Sequence, residues 1–244
     1  MQASADVGHT FGRVAESYDR LRPAFAPAAL DLVVSQLGLS SSSVVLDLGA
    51  GTGILTRALA RRVGRVIAVE PDDGMRRLIS GDARAGTAEQ IPVADGEVDA
   101  VFAGDAFVWF EPGPALAEIM RVLRPGGGLA LLWRDWYQRE EPPLPSEVVE
   151  LLTELFHRFR GAGPSPGTWR EDIAASPFGA LEHASFGETL VLSGRELADL
   201  ELTRSSPAAL DDVERAALAA QIYPLMAEQY ALTVVTDVDW ARLP

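Results

Sequence analysis

The stretch Val44-Val45-Leu46-Asp47-Leu48-Gly49-Ala50-Gly51-Thr52-Gly53 runs an apolar segment straight into a glycine-rich turn. The apolar part is nearly continuous, which suits a strand covered on both faces in a parallel sheet. Glycines in the turn let the backbone take positive φ and let a ligand approach without meeting a Cβ. Beyond it, Ile54, Leu55, Ala58, Leu59 and Val63 recur at three-to-four spacing, so the turn feeds a helix. A strand, glycine turn and helix in this order suggest a nucleotide-type site. The dinucleotide fingerprint is Gly-x-Gly-x-x-Gly, with the pyrophosphate on the helix N-terminus. Here the third glycine is missing, because Ile54 stands at its position. The spacing is Gly-x-Gly-x-Gly, with Asp47 two residues ahead of the first glycine.

Outward from this turn, Val66–Val69, Val98–Ala103 and Leu129–Trp133 are further buried-strand runs, with helical patterns between them. Leu116, Ile119, Met120 and Leu123 form one such helix, which Arg124-Pro125-Gly126-Gly127-Gly128 stops and turns. The alternation predicts a doubly wound α/β sheet. Residues 1–40 read as a helical cover, with a stripe of Ala29, Leu30, Val33, Val34 and Leu37. After Trp133, a proline-rich break (Glu141 to Pro145) leads to a helix expected to be capped by Ser146, with Val148, Leu152, Leu155 and Phe159 on one face. Gly161–Gly167 reads as a loop. Strand-like runs follow near Phe186–Leu192 and Leu232–Val238. Between them is a helical segment from about Ser206 to Tyr230, with Pro207 in a first turn and Pro224 as a break. The expectation is one domain over residues 1–244, divided into the cover at 1–40, a cofactor-binding core at 41–135 and a C-terminal part at 136–244 with a helical cap around 194–230.

In these motifs the chain resembles the class I S-adenosylmethionine-dependent methyltransferases, from Asp47 to Gly127. Such proteins carry the acidic Gly-x-Gly-x-Gly element after strand one. They also carry an acid at the end of strand two, as Glu70 stands in Val66-Ile67-Ala68-Val69-Glu70-Pro71. Gly86-Thr87-Ala88-Glu89-Gln90-Ile91-Pro92 resembles their adenine-contacting loop, Asp99 with Val101-Phe102 their strand four, and Arg121 to Gly127 the turn before strand five. The flanks are similar to small-molecule members related to ubiquinone-biosynthesis and trans-aconitate methyltransferases. There the match is Phe11 to Pro23 at one end, and Ser206–Glu228 followed by Thr233 to Val238 at the other.

The resemblance implies a Rossmann-like, mostly parallel seven-stranded sheet, a bound S-adenosyl-L-methionine, and metal-independent methyl transfer to an O, N or C atom of a small molecule, of the kind found in secondary metabolism. It assigns Glu70, beside Pro71, to the ribose hydroxyls; Gly49, Ala50 and Gly51 to close approach along the cofactor; and Asp47 to its ammonium end. Met75 would pack on the adenine, with Ala88 and Glu89 at its edge, and Gly104 or Asp105 would face the ammonium and the donated methyl. Tyr18 and Arg22 inherit closure over the cofactor's carboxylate. Phe107, Trp109, Arg134, Trp136 and Tyr137 follow strands four and five, and are the acceptor-pocket candidates. Two positions depart from the relatives: Phe107-Val108-Trp109-Phe110 lacks their histidine, and Trp133-Arg134-Asp135 stands where they often have Trp-Asn. A nicotinamide-dinucleotide oxidoreductase and a non-catalytic cofactor-binding relative are the alternatives.

Composition narrows the chemistry. The 244 residues include no cysteine, which excludes disulfides, cysteine metal sites and thiol catalysis. All 21 Lys+Arg residues are arginine, so Schiff-base and P-loop lysines are excluded too. The net charge of −14 disfavours nucleic acid and anionic membrane, leaving a small-molecule partner. No apolar run reaches membrane-spanning length, and the N-terminus has no signal pattern, so a cytoplasmic protein is expected, as a monomer or homodimer. Arginine-only usage with abundant Ala and Gly suggests a GC-rich bacterial genome. Of the three histidines, His157 and His183 read as structural or surface residues, and His9 is the weak candidate for a base. No cluster has metal-ligand spacing, so no metal site is expected. Arg124, Arg139, Arg170 and Arg204, with Arg134, are candidates for an acidic acceptor.

Overall fold

A computed structural model describes residues 11–136, 143–159 and 169–244. His9, Tyr137, Arg139 and the Gly161–Gly167 loop therefore lie outside the described residues. The sheet has seven strands in the order β3-β2-β1-β4-β5-β7-β6. They are β1 (Val44–Leu48), β2 (Arg65–Val69), β3 (Asp82–Arg84), β4 (Val98–Gly104), β5 (Leu123–Asp135), β6 (Glu182–Ser193) and β7 (Gln229–Arg242). The first five are parallel to one another, and β7 runs antiparallel between β5 and β6. The sheet is thus doubly wound and mostly parallel, as expected. Sequential order reverses between β1 and β4, and ligands of such sheets sit outside the carboxyl ends of the strands at this point.

The alternation within each strand explains the two cores. From β1, Leu46 and Leu48 join one cluster with Val101 and Ala103 of β4 and Leu129 and Leu131 of β5. It is covered by α5 (Pro112–Val122) and α7 (Trp169–Ala174), through Leu116, Ile119 and Ile173. Val45, Phe102, Ala130 and Leu132 point the other way. They meet α2 (Pro27–Gln36) and α3 (Ile54–Leu59) through Leu30, Val33, Leu55 and Leu59. Asp47 alternates with Leu46 and Leu48 and is therefore on this second face, where it is 1% exposed.

The N-terminal cover consists of a 3-10 turn at Phe11–Val14, α1 (Ala15–Leu21) and α2. The cap between β6 and β7 consists of α8 (Gly194–Glu201), α9 (Ser205–Ala208) and α10 (Asp212–Ile222), ended by a 3-10 turn that contains Pro224. It packs on α6 (Ser146–Arg158) through Val148, Leu155, Leu202 and Ile222.

Three readings are corrected. Ser146 is the first residue of α6 and its hydroxyl donates to Glu147, so it is not the cap; Pro145 holds that position without a side-chain bond. The Arg124–Gly128 run is not a simple turn. The chain enters β5 directly from α5 at Leu123, with a register irregularity between Val98 and Ala100, so the glycines sit in a bulged strand start. Strands β6 and β7 also extend beyond their apolar runs, because an antiparallel pair gains backbone hydrogen bonds whatever its side chains.

Candidate functional site

The glycine turn is held by backbone bonds before any ligand is considered. The amides of Gly49 and Ala50 donate to the Val69 carbonyl at 2.9 and 3.0 Å, and the amide of Gly51 donates to Glu70 Oε2 at 2.8 Å. The other Glu70 oxygen accepts from the amide of Asp72 at 2.9 Å. Glu70 therefore joins the end of β2 to the turn after β1, and burial pushes its carboxyl above the ordinary carboxylate range despite these two donors.

The two leading glycines differ. Gly49 has φ +69°, and a Cβ there would stand 2.7 Å from that of Ala106, so protein fills its open side. Gly51 has φ +57° and nothing within 4 Å of its missing Cβ. Of these two, Gly51 is the one with free space beside it. This narrows the close approach expected along Gly49 and Ala50, since Ala50 is also buried.

Asp47 Oδ2 accepts from the Thr56 hydroxyl at 2.5 Å, whereas Oδ1 is buried with no hydrogen-bond partner. Burial, with the nearby Glu70 charge, raises the Asp47 pKa to about 7, partly offset by Thr56. A buried acceptor atom left open is costly unless something donates to it. An orphaned carboxylate oxygen, a second raised carboxyl and an open glycine face fit a cationic, polyhydroxylated ligand such as the cofactor the sequence implies.

The remaining candidates divide. Met75 is buried, its amide donating to Asp72 Oδ1 at the start of α4 (Asp73–Arg76). Ala88 is buried in the core that flanks the turn, and Pro71 is exposed. Glu89 Oε1 accepts from the amide of Glu111 at 2.9 Å, which ties this side chain to the start of α5. The face of Gly104 is filled by the Phe25 ring, 2.6 Å from where a Cβ would be.

Asp105 and Arg134 are paired with each other. Asp105 has φ +55° and accepts from the Arg134 amide at 2.8 Å and from its Nε at 2.7 Å. Arg134 further donates to the Pro23 carbonyl at 2.5 Å and to the Tyr18 hydroxyl, and its guanidinium lies 4.3 Å from the Phe25 ring centre. Burial works against its charge, yet Asp105 and Tyr18 hold its pKa above the usual value. With 2% of its side chain exposed, Arg134 is an internal staple between the sheet edge and the cover, not an acceptor ligand. Phe107 is likewise core: it is 1% exposed and stacks edge-on with Phe110 and Trp169. Trp109 is half-buried in a 3-10 turn and stays a candidate. Trp136 is buried, donating to Glu201 at 3.2 Å.

Arg22 turns toward the cap. It donates to Thr203 Oγ1 and to the Thr203 carbonyl, both at 3.1 Å, and lies against the rings of Tyr18 and Trp136. Thr203, Phe25 and Thr236, whose hydroxyl accepts from the Ala26 amide at 2.9 Å, were not legible in the sequence. Each acts through a contact made only in three dimensions, without a local motif.

Comparison with known proteins defines the class. A methyltransferase-domain family matches residues 46–131. An uncharacterized methyltransferase-like protein of Schizosaccharomyces pombe is 32% identical over 199 residues, 78% of this chain and 75% of its own length. An uncharacterized methyltransferase of Mycobacterium tuberculosis is 41% identical over 139 residues, 55% of this chain. The match spans 56% of that relative's length. Among solved structures, geranyl diphosphate C-methyltransferase from Streptomyces coelicolor superposes with a TM-score of 0.57 at 14% identity, over 100% of this chain and 98% of the other. At that identity the likeness shows the fold. The chain belongs to the class I S-adenosylmethionine-dependent methyltransferase family.

Proposed function

We propose that the protein binds S-adenosyl-L-methionine and transfers its methyl group to a small-molecule acceptor. The observation that carries this reading is the unpartnered, buried Oδ1 of Asp47, set beside Glu70 and the open face of Gly51. When bound, the cofactor supplies a sulfonium methyl: the acceptor's lone pair takes the methyl carbon as the C–S pair returns to sulfur. A proton on the acceptor atom, where there is one, leaves to solvent.

The protein's part is positioning. Asp47 and Glu70 favour a cationic ligand in a dry pocket, where charge attraction is stronger than in water. Glu70 and Gly51 set the ribose side. Trp109 and Trp136 bound the acceptor side, beyond the ends of β4 and β5. Holding two reactants in line is worth about 7–11 kcal/mol, so a dedicated base is not required for an acceptor that is unprotonated at neutral pH. The net charge of −14 supports a small molecule rather than nucleic acid as acceptor. The test is transfer of a radiolabelled methyl from S-adenosylmethionine onto a metabolite extract. Label should enter a small-molecule fraction with wild-type protein and be lost with Glu70→Ala. Absence of wild-type transfer from several extracts, despite cofactor binding, would favour a non-catalytic binding role.

A further inference from the structure

The seam between the N-terminal cover and the cap carries a charge the proposed chemistry has not used. Arg22 is half-buried, yet the hydrogen-bond partners of its guanidinium are neutral oxygens of Thr203. Its other contacts are the Tyr18 and Trp136 rings, at 4.7 and 4.9 Å. Among the described residues no carboxylate lies within ion-pair distance of it, in contrast to Arg134, which Asp105 neutralises. Arg204 lies 5.7 Å from the other contact ring, that of Trp136, and sits 3.8 Å from Glu201. Burial is the largest influence on the Arg22 pKa and lowers it; Tyr18 and Asp105 oppose this, and the Arg134 and Arg204 charges add to it. A guanidinium withdrawn from water without a counter-ion is costly, and an incoming anion relieves that cost.

The neighbourhood points the same way. A cleft of about 340 Å³ opens between α1 and the cap and shares Thr203 with Arg22. Arg22 itself is not in its lining; of the arginines that are, Arg195 pairs with Asp199 and Arg215 with Asp212, which leaves Arg20 as the excess positive charge in a chain whose total is −14. Its volume is within the range of small-molecule sites.

We propose that the methyl acceptor carries an oxyanion group, a carboxylate or a phosphate, and that Arg22 binds it at the seam between the N-terminal cover and the cap. This rests on the methyltransferase reading for the word acceptor, but the anion site itself does not. The resemblance assigns Arg22 to the cofactor's carboxylate instead. Its contacts turn it toward the cap: its side chain bonds Thr203 and lies against Tyr18 and Trp136, and none of these contacts is with the glycine turn.

The experiment compares wild type, Arg22→Gln and Arg22→Lys by calorimetry. S-adenosylhomocysteine should bind all three within about twofold, which also shows that the variants fold. With S-adenosylhomocysteine saturating, inorganic phosphate and acetate are titrated as oxyanion probes. Wild type should bind at least one, Arg22→Gln should lose it by tenfold or more, and Arg22→Lys should lose less. If Arg22→Gln weakens S-adenosylhomocysteine tenfold but leaves 5′-methylthioadenosine, which lacks the amino-acid tail, unchanged, Arg22 belongs to the cofactor and the proposal falls. It falls equally if neither probe binds wild type, or if Arg22→Gln binds them as well. If S-adenosylhomocysteine fails to bind wild type while an oxyanion binds through Arg22, the methyltransferase reading fails and the anion site stands. In the labelled-extract assay, the methylated pool should come from metabolites retained on an anion exchanger. Phosphatase treatment of the extract then separates phosphate from carboxylate acceptors, and label arising only from unretained metabolites would overturn the assignment.

Discussion

At the β1–β2 end of the sheet edge, the groups at the strand ends are backbone amides bonded to Val69 and Glu70, an open glycine and two buried carboxylates. At the β5–β7 end they are guanidiniums and aromatic rings brought in from the cover and the cap. The first end is assembled from segments close to a strand end, so its parts keep fixed spacing along the chain. The second joins residues about 180 positions apart, as in the pair Arg22–Thr203. The acidic end suits a cation and the basic end an anion, so one edge can orient two ligands of opposite charge.

The comparison is tested most severely at the staple between the two ends. Asp105→Asn should leave the Arg134 guanidinium buried without a counter-ion, costing about 3 kcal/mol or more. The thermal midpoint should then fall by about 6–12 °C. Arg158→Gln, which removes the exposed Arg158–Glu214 pair, should change stability by less than about 1 kcal/mol. Equal effects would mean that the staple is no more than a surface pair.

The carboxylate end has a pH signature. The folded-state pKa of Asp47, raised to about 7, lies above its unfolded value, so the native state holds the extra proton between them. Its contribution to stability is therefore present at low pH and is lost as pH rises from about 4 to 7. Asp47→Asn should raise the melting temperature at pH 8 by several degrees, with the gain fading toward pH 4. A cationic ligand favours the ionised carboxylate, so wild-type affinity for S-adenosylmethionine should climb up to about pH 7 and level above it. The Asn variant should bind more weakly and with a flatter profile. A wild-type affinity independent of pH would remove Asp47 from the ligand's surroundings.

A smaller effect separates two neighbouring glycines. Gly49→Ala places a Cβ against Ala106 in a left-handed backbone, and should cost stability beyond the roughly 1–2 kcal/mol of that conformation alone. Gly51→Ala meets no protein atom within 4 Å, so it should cost only the conformational part and act mainly on cofactor affinity. Thermal melts with and without S-adenosylhomocysteine distinguish the two.

The difference between the ends also explains what could be read from the chain. Asp47, Gly51 and Glu70 were legible as a group because a strand, a turn and the next strand end fix their spacing, and the bond from the Gly51 amide to Glu70 follows that spacing. Arg134 and Phe107 were legible as residues at or just past strand ends, but their packing was not. Whether such a side chain meets a ligand or the core depends on Asp105, Pro23 and Trp169, which reach them from elsewhere. The Ser146 cap misled for a related reason: a serine before an apolar stripe has the pattern of a cap, but the helix began one residue earlier.

The central claim is that the glycine turn and its two carboxylates hold S-adenosylmethionine rather than a nicotinamide dinucleotide. Calorimetry with S-adenosylhomocysteine and NAD, on wild type and Glu70→Ala, tests it most directly. The account predicts micromolar S-adenosylhomocysteine binding to wild type, weakened about 30- to 100-fold in Glu70→Ala by the loss of charged hydrogen bonds, and no binding of NAD. NAD binding without S-adenosylhomocysteine binding, or S-adenosylhomocysteine binding indifferent to Glu70, would contradict it.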